Sequence, residues 1–412
     1  MFYNFYFDET FHDRKITVNE EGILNTLAEE KNDSYISVFW GYPETKNTMV
    51  RNQFDKLEKK YTERFGLINE FKSTVIRRKN FTQGIKSFNE NTFDFYFDFF
   101  YVLEDIEPIM HVNVTSKIEL LLRNIFDMKI LDQMLLVASD AFIYSMTKFI
   151  LIYHTPQLLE KLYRASETGN VLLFKNELSK HLSKVIMTLE GIPRKEREVP
   201  ALVQLEMIIS QQEIWKTIVS KQEFIYYPNF DGFGKLLKEK KILPKRVNLL
   251  LDREEKTYQT AKKYGYSKIG QVDSEEDICV RVADHLCGFI GKLMYALVND
   301  SSFKEDAVVD IERLKENDIV RKHLLSAQWF ELQEKQFNLY KQICKVLIHQ
   351  QAAYWSVMTW SYGDQVAMFY SLLRYIDSYD SYEEFMKVLP EEHTENYNMV
   401  CCDELERHYM NL

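Results

Sequence analysis

Glycine and proline are scarce in this chain, at 13 and 8 among 412 residues. That scarcity excludes collagen-like and Pro/Gly-rich disordered classes and favours helices over tight turns. Cysteine is rare too. The five thiols, two of them adjacent at Cys401 and Cys402, follow no metal-ligand spacing, as expected of reduced thiols in a cytoplasmic protein. No basic region followed by an apolar one opens the chain, because Asp8 and Glu9 come first. Long uncharged apolar runs are also missing. The longest apolar stretch, 130–153, carries Asp132, Asp140 and Lys148, so it reads as a buried helix and not a membrane span. There is no phosphate-cradling glycine loop, no zinc-ligand pattern, no serine elbow and no repeat of fixed period. The net charge of -10 argues against a protein that coats nucleic acid non-specifically. It leaves room for an enzyme that grips nucleic acid through local basic patches.

What is present is apolar and aromatic. Hydrophobic residues make up 46% of the chain and aromatics 14%, enough core for two or three domains or for one with a large insertion. Strand signals fall at 2–8, 15–18, 35–42, 108–115, 246–252 and 268–272, the last as an edge strand. Helical signals fall at 48–65, closed by Gly66, and at 93–103 and 254–264. The stretch 20–30 reads as a short helical or looped excursion. From 118 to 224 the signal is helical throughout, with candidates at 117–127, 130–153, 169–190 and 198–221. After 300 it is helical again. The expected class is α/β: a mixed-sheet domain over 1–117 and 235–297, split by an all-helical insertion at 118–234 and extended by a helical C-terminal region at 298–412.

Chemistry is suggested by acids at the ends of these elements. Asp8 and Asp252 each close a predicted strand, and ligands of α/β sheets bind outside such ends. Asp284 lies on a helix predicted from 278. Ile278, Val282, Leu286, Phe289 and Ile290 share one face of it, and Asp284 falls on the other with Asp277, Arg281 and Gly288. Glu70 is a fourth acid, in a loop, with Glu9 and Asp273 as alternates. Hard cations such as Mg²⁺ and Mn²⁺ require oxygen ligands, and three or four acids suffice to bridge two ions for phosphodiester displacement. The plain alternatives are caps and turns. Asp252 is placed to cap the helix at 254–264, and 274–277 has the form of a helix start.

Five short segments carry a resemblance. Phe5-Tyr6-Phe7-Asp8-Glu9-Thr10, Glu70-Phe71-Lys72-Ser73, Ser116-Lys117 after a strand, Leu249-Leu250-Leu251-Asp252, and Val282-Ala283-Asp284-His285-Leu286-Cys287-Gly288 resemble, in order and rough spacing, motifs of the domain of unknown function 3800 family. The resemblance covers 1–117 and 235–297. It departs from the family at Thr10, where Ser is usual, and at Phe11, where Gly is usual. It implies a ribonuclease H-like fold and a metal-dependent nuclease or a relative of one, with Asp8, Glu70, Asp252 and Asp284 as the catalytic set. Asp8, Glu9, Asp252 and Asp284 are the expected metal ligands.

Basic residues near these acids are candidates for phosphate contact: Lys72, Lys117, Arg77 and Arg78. The runs at 194–197 and 235–246 read more simply as solvated faces. His285 points about 100° away from Asp284 and is expected to be structural. His12 is a weak candidate base. The aromatic run 93–101 reads as a buried helix before it reads as a base-stacking platform. The expected function is a Mg²⁺- or Mn²⁺-dependent hydrolase of DNA or RNA, suited by association to a bacterial defence or accessory role. The alternative is a catalytically inactive protein whose helical blocks bind a protein partner or a second copy.

Overall fold

In the computed structural model, residues 1–10, 33–134, 139–192, 195, 198–217, 219, 227–300, 325–351, 355–357 and 363–410 are described. The expected strand at 15–18, the excursion at 20–30 and His12 lie outside them. One mixed sheet organises the chain. Its strands are β1 (Tyr3–Thr10), β2 (Ser34–Pro43), β4 (Ile109–Ser116), β5 (Val247–Asp252), β6 (Lys268–Val272) and β7 (Trp355–Val357), in the order β6-β5-β1-β2-β4-β7. A short strand, β3 (Thr82–Ile85), stands outside this order. β1 runs antiparallel to β2 and β2 antiparallel to β4, while β5 lies parallel to β1 and β6 parallel to β5. Phe7 pairs with Leu251, so the strands flanking the expected insertion meet in one sheet, and β6 is an edge as anticipated.

Strand alternation sends successive side chains to opposite faces. Tyr6, Val38, Trp40 and Val112 enter one core with α1 (Asn47–Arg64), α2 (Glu90–Ile106) and α11 (Ile278–Val298). Phe5, Phe7, Phe39, Leu249 and Leu251 enter a second core on the other face, against α9 (Tyr227–Glu239). Each α1 residue facing the first core, Val50, Phe54, Leu57 and Tyr61, comes three or four positions after the last, which is why that segment is a helix. Gly66 follows at φ +66°, the left-handed conformation a helix stop needs.

A third core is separate. It is built from α3 (Lys117–Ile125), α4 (Met128–Met134), α5 (Ser139–Tyr153), α6 (Pro156–Thr168), α7 (Val171–Leu189) and α8 (Glu198–Ser210), with Trp215 beyond them. Among the described residues no single helix is long and apolar enough to cross a membrane.

Three expectations need correction. The stretch 130–153 is part of two helices, α4 and α5. α9 belongs to the sheet layer and not to the insertion, because Phe230, Phe233, Leu236 and Leu237 pack on the strands. The region after 300 is not wholly helical, since β7 pairs in parallel with β4. The C-terminal helices Glu334–Cys344, Gly363–Asp377 and Pro390–Met410 complete the first core.

Candidate active site

α11 is the spine of the site. Asp277 caps it, accepting from the backbone N–H of Cys279 at 2.9 Å and of Val280 at 3.2 Å, and Arg51 pairs with the same carboxylate at 2.6 Å. The cap is therefore Asp277, while Ser274–Glu276 forms a separate 3-10 turn capped by Asp273. The expected two-faced helix is buried almost all round. Even Arg281 is buried, and it pairs with Glu58 at 2.6 Å. The Trp40 indole donates to the Cys279 carbonyl at 2.8 Å, which fixes the helix against the centre of the sheet.

Asp8 follows Tyr6 by two residues in β1 and so faces the α11 side. Asp252 follows Leu250 by two in β5 and faces the same side. The positions just before them, Phe7 and Leu251, are paired neighbours, so the two acids leave adjacent parallel strands together. Cys287 of α11 donates its thiol to the Asp8 carbonyl at 3.0 Å, and Asp284 is one turn earlier on that helix. The three aspartates thus come from β1, β5 and α11 toward one end of the sheet, although their oxygens do not all lie within 4.8 Å of one another.

Ser73 holds Asp284, donating to it from the backbone N–H at 2.7 Å and from Oγ at 2.6 Å. That approach needs Gly288, since a Cβ there would stand 2.5 Å from Ser73 Cβ and Oγ. Lys292, half-buried one further turn along, donates to the Ser73 carbonyl at 2.7 Å. Glu70 pairs with Lys72 at 2.5 Å, and Ser274 Oγ donates to Glu70 at 3.4 Å.

The electrostatics follow this crowding. Burial holds the Asp8 carboxyl well above its ordinary range, and the negative charges of Asp284, Asp252 and Glu9 add to the effect. Burial pushes the Lys292 ammonium down to about 8, opposed by Asp284. The Glu70 hydrogen bond raises Lys72, and Asp252 and Asp284 add to that rise. Burial pulls His285 down to about 4, so it is neutral near pH 7. Its Nε2 bonds the Phe71 carbonyl at 2.7 Å within a cage of Phe71, Phe95 and Phe99.

Other candidates are placed elsewhere. Glu9, one residue on from Asp8, faces the opposite side of the sheet, where Tyr35 donates to it at 2.6 Å. Alternation separates it from Asp8, Asp252 and Asp284. Asp273 caps its turn and lies 3.7 Å from Arg253. Asp252 does not cap α10 (Glu255–Ala261). Glu254 does, accepting from the Thr257 N–H. Arg78 stacks over Tyr295 at 4.7 Å and lies close enough to Lys292 to depress its pKa. Arg77 is exposed on the same loop. Lys117 is buried where β4 passes into α3, two strands from β1 and, by register, five residues past Val112, the β4 residue level with Asp8.

Ser73 and Lys292 were not singled out by sequence. Ser73 sits in the loop motif already noted, and Lys292 is eight residues after Asp284, a two-turn spacing on one face. Comparison with family models, curated proteins and solved structures finds no match.

Proposed function

We propose that this protein is a Mg²⁺- or Mn²⁺-dependent hydrolase of phosphodiester bonds in nucleic acid, on a ribonuclease H-like mixed sheet. The observation that carries the reading is the half-buried Asp8 carboxyl, its pKa raised by its enclosure and by the charges of Asp284 and Asp252, at the C-terminal end of two parallel strands. Like charges brought toward one partly enclosed place cost stability unless a cation joins them, and an all-oxygen donor set fits a hard divalent ion. Asp8, Asp252 and Asp284 would hold it, with Glu70 at the rim. When bound, such an ion supplies an activated water and charge neutralisation at the leaving oxygen.

The chain's own groups do the rest. Ser73 fixes the direction of the Asp284 carboxylate. Lys72 and Lys292 offset negative charge beside it. Arg77 and Arg78, on the loop that follows Ser73, are set to meet substrate phosphates. A cytoplasmic setting and a bacterial defence role fit free thiols and large helical additions.

The test is cleavage of single- and double-stranded DNA and RNA in Mg²⁺ and Mn²⁺ by wild type, Asp8→Asn and Asp284→Asn. Both variants are expected to lose more than about 100-fold, the upper end of the cost of disturbing a ligand's supporting hydrogen bond. Metal-independent cleavage, or full activity in both variants, would sink the reading. One observation favours the non-enzymatic alternative. Leu172, Leu173, Met187 and Met207 are exposed on α7 and α8, apolar side chains of the kind a protein partner covers. No cleavage of any of these substrates by wild type, with self-association or partner capture lost on Leu172→Glu, is the outcome that alternative expects.

A further inference from the structure

A second constellation lies in helices that contribute nothing to the aspartate site. Helix Glu334–Cys344 does not end regularly but widens into a π-turn, Lys345–His349. In a regular α-helix, residues five apart point about 140° away from each other. The π-turn inserts one residue into the turn, and such bulges recur at functional sites. Here it swings His349 back over Cys344, with the Cys344 Sγ 3.6 Å from His349 Nε2. Asp377, the last residue of helix Gly363–Asp377, brings its Oδ2 to 2.8 Å from the same Nε2. One donor atom from each residue lies within 4.8 Å of the other two.

The arrangement is not a nucleophilic relay. A cysteine–histidine–aspartate relay places the thiol at one ring nitrogen and the carboxylate at the other. Here sulfur and carboxylate oxygen meet the same nitrogen, so three donors converge on one point. Convergence of that kind is what a metal ion requires. Tetrahedral zinc holds sulfur at about 2.3 Å and nitrogen at about 2.0–2.1 Å, which sets the two donors roughly 3.5 Å apart. The Cys344–His349 separation of 3.6 Å meets that spacing, and the His349–Asp377 pair, hydrogen-bonded at 2.8 Å, opens by about 0.5 Å to admit the ion. The donor set also selects the ion. Thiolate with imidazole suits borderline-soft Zn²⁺ and not Mg²⁺ or Mn²⁺.

We infer that Cys344, His349 and Asp377 form a zinc site with three protein ligands and a fourth position open to water. Cys344 is buried, but the His349 side chain is 55% exposed and that of Asp377 is 25% exposed, so the fourth position faces solvent. Lys341 Nζ stands 4.0 Å from Asp377 Oδ1, on the carboxylate oxygen that does not face His349. Lys341 donates to the carbonyls of Asp377 and Tyr379, and Arg374 pairs with Glu404 at 2.8 Å. Thiolate and carboxylate together cancel the charge of the ion. Bound zinc would clamp the π-turn to the end of the neighbouring helix.

The experiment is Co²⁺ titration of the chelator-treated full chain, read by absorption, followed by displacement with Zn²⁺. Wild type is expected to show thiolate-to-cobalt charge transfer in the near ultraviolet and tetrahedral ligand-field bands, saturating at one equivalent and lost on adding Zn²⁺. Cys344→Ser should abolish the charge-transfer band. His349→Ala, at an exposed position that folding tolerates, should weaken Zn²⁺ binding by at least about tenfold. Asp8→Asn should leave the spectrum unchanged, so this inference and the nuclease reading fail separately. Absence of a thiolate band in wild type overturns the site. So does a band that survives Cys344→Ser, which would point to another thiol such as Cys287.

Discussion

At the scale of single residues, Asp8 sets charge against its partial burial. An ordinary Asp titrates near 3.9. In the fold its carboxyl titrates well above that, because of burial and then the neighbouring acids. A raised folded pKa gives stability that is complete below the unfolded value and is lost as pH rises through the folded value. Metal-free wild type should therefore lose stability from about pH 4 upward. Asp8→Asn removes that loss. In chelator at pH 7 the variant should be more stable than wild type by about 0.5–2 kcal/mol, with the gap closing toward pH 4. Adding Mg²⁺ should raise the wild-type melting temperature and leave the variant unmoved. A variant that melts lower than wild type at pH 7 would show Asp8 to be a structural hydrogen-bond partner. Ser73 offers a second test. Ser73→Ala removes one of two donors to Asp284 and should weaken metal affinity about 10–100-fold, measured by calorimetry, while the backbone donor remains. Asp8 and Asp252 were legible in the sequence because acids after apolar strands stand out, and Asp284 because of the family-like motif around it. Ser73 and Lys292 were not, since their roles depend on a loop crossing a helix. Glu9 shows the opposite lesson. Period-two alternation already separates it from Asp8, so strand geometry excludes what residue type had suggested.

At the scale of elements, α11 is the part on which the site depends. It lies over β1 and β2, and its Gly288 provides the groove that Ser73 fills. Gly288→Ala places a methyl 2.5 Å from Ser73 Cβ. Neither backbone can move far, so overpacking should cost about 1–3 kcal/mol and displace the loop that carries Ser73 and Glu70. Chemical denaturation should show the loss, and metal affinity should fall with it. Unchanged stability would mean that the loop is free to retreat. The strands around this helix could be read from sequence because alternation and a terminal acid mark both β1 and β5. β7 could not. A three-residue strand inside an apolar, aromatic stretch has the composition of a buried helix, and periodicity cannot separate the two. The Cys344–His349 pairing was hidden for a related reason. A spacing of five brings side chains together only across a π-turn, and the sequence does not announce that turn.

At the scale of the whole molecule, the chain divides its apolar residues among three cores. Two flank the sheet, and the third lies within the insertion. The sequence showed this block as strand-free, and its upstream limit at about 118 was legible because β4 ends where Ser116 caps α3. Its downstream limit was misread, since nothing in the 227–239 pattern tells a helix on a sheet from one in a bundle. The block joins the C-terminal helices through Asp364, which accepts from Tyr144 at 2.8 Å and Lys148 at 2.6 Å. Partly exposed ion pairs of this kind contribute at most about 1 kcal/mol, too little to fuse two cores into one cooperative unit. Chains with separate cores depart from two-state unfolding. Calorimetry should thus resolve two transitions. Leu182→Ala, which opens a cavity at a fully buried position of the third core, should cost about 2–5 kcal/mol and lower only the transition of the helical block. The aspartate site, built on the other two cores, should keep its metal-induced stabilisation in that variant at 25 °C. If both transitions fall together, or only one is seen, the insertion is an integral part of the sheet domain and not a unit added to it.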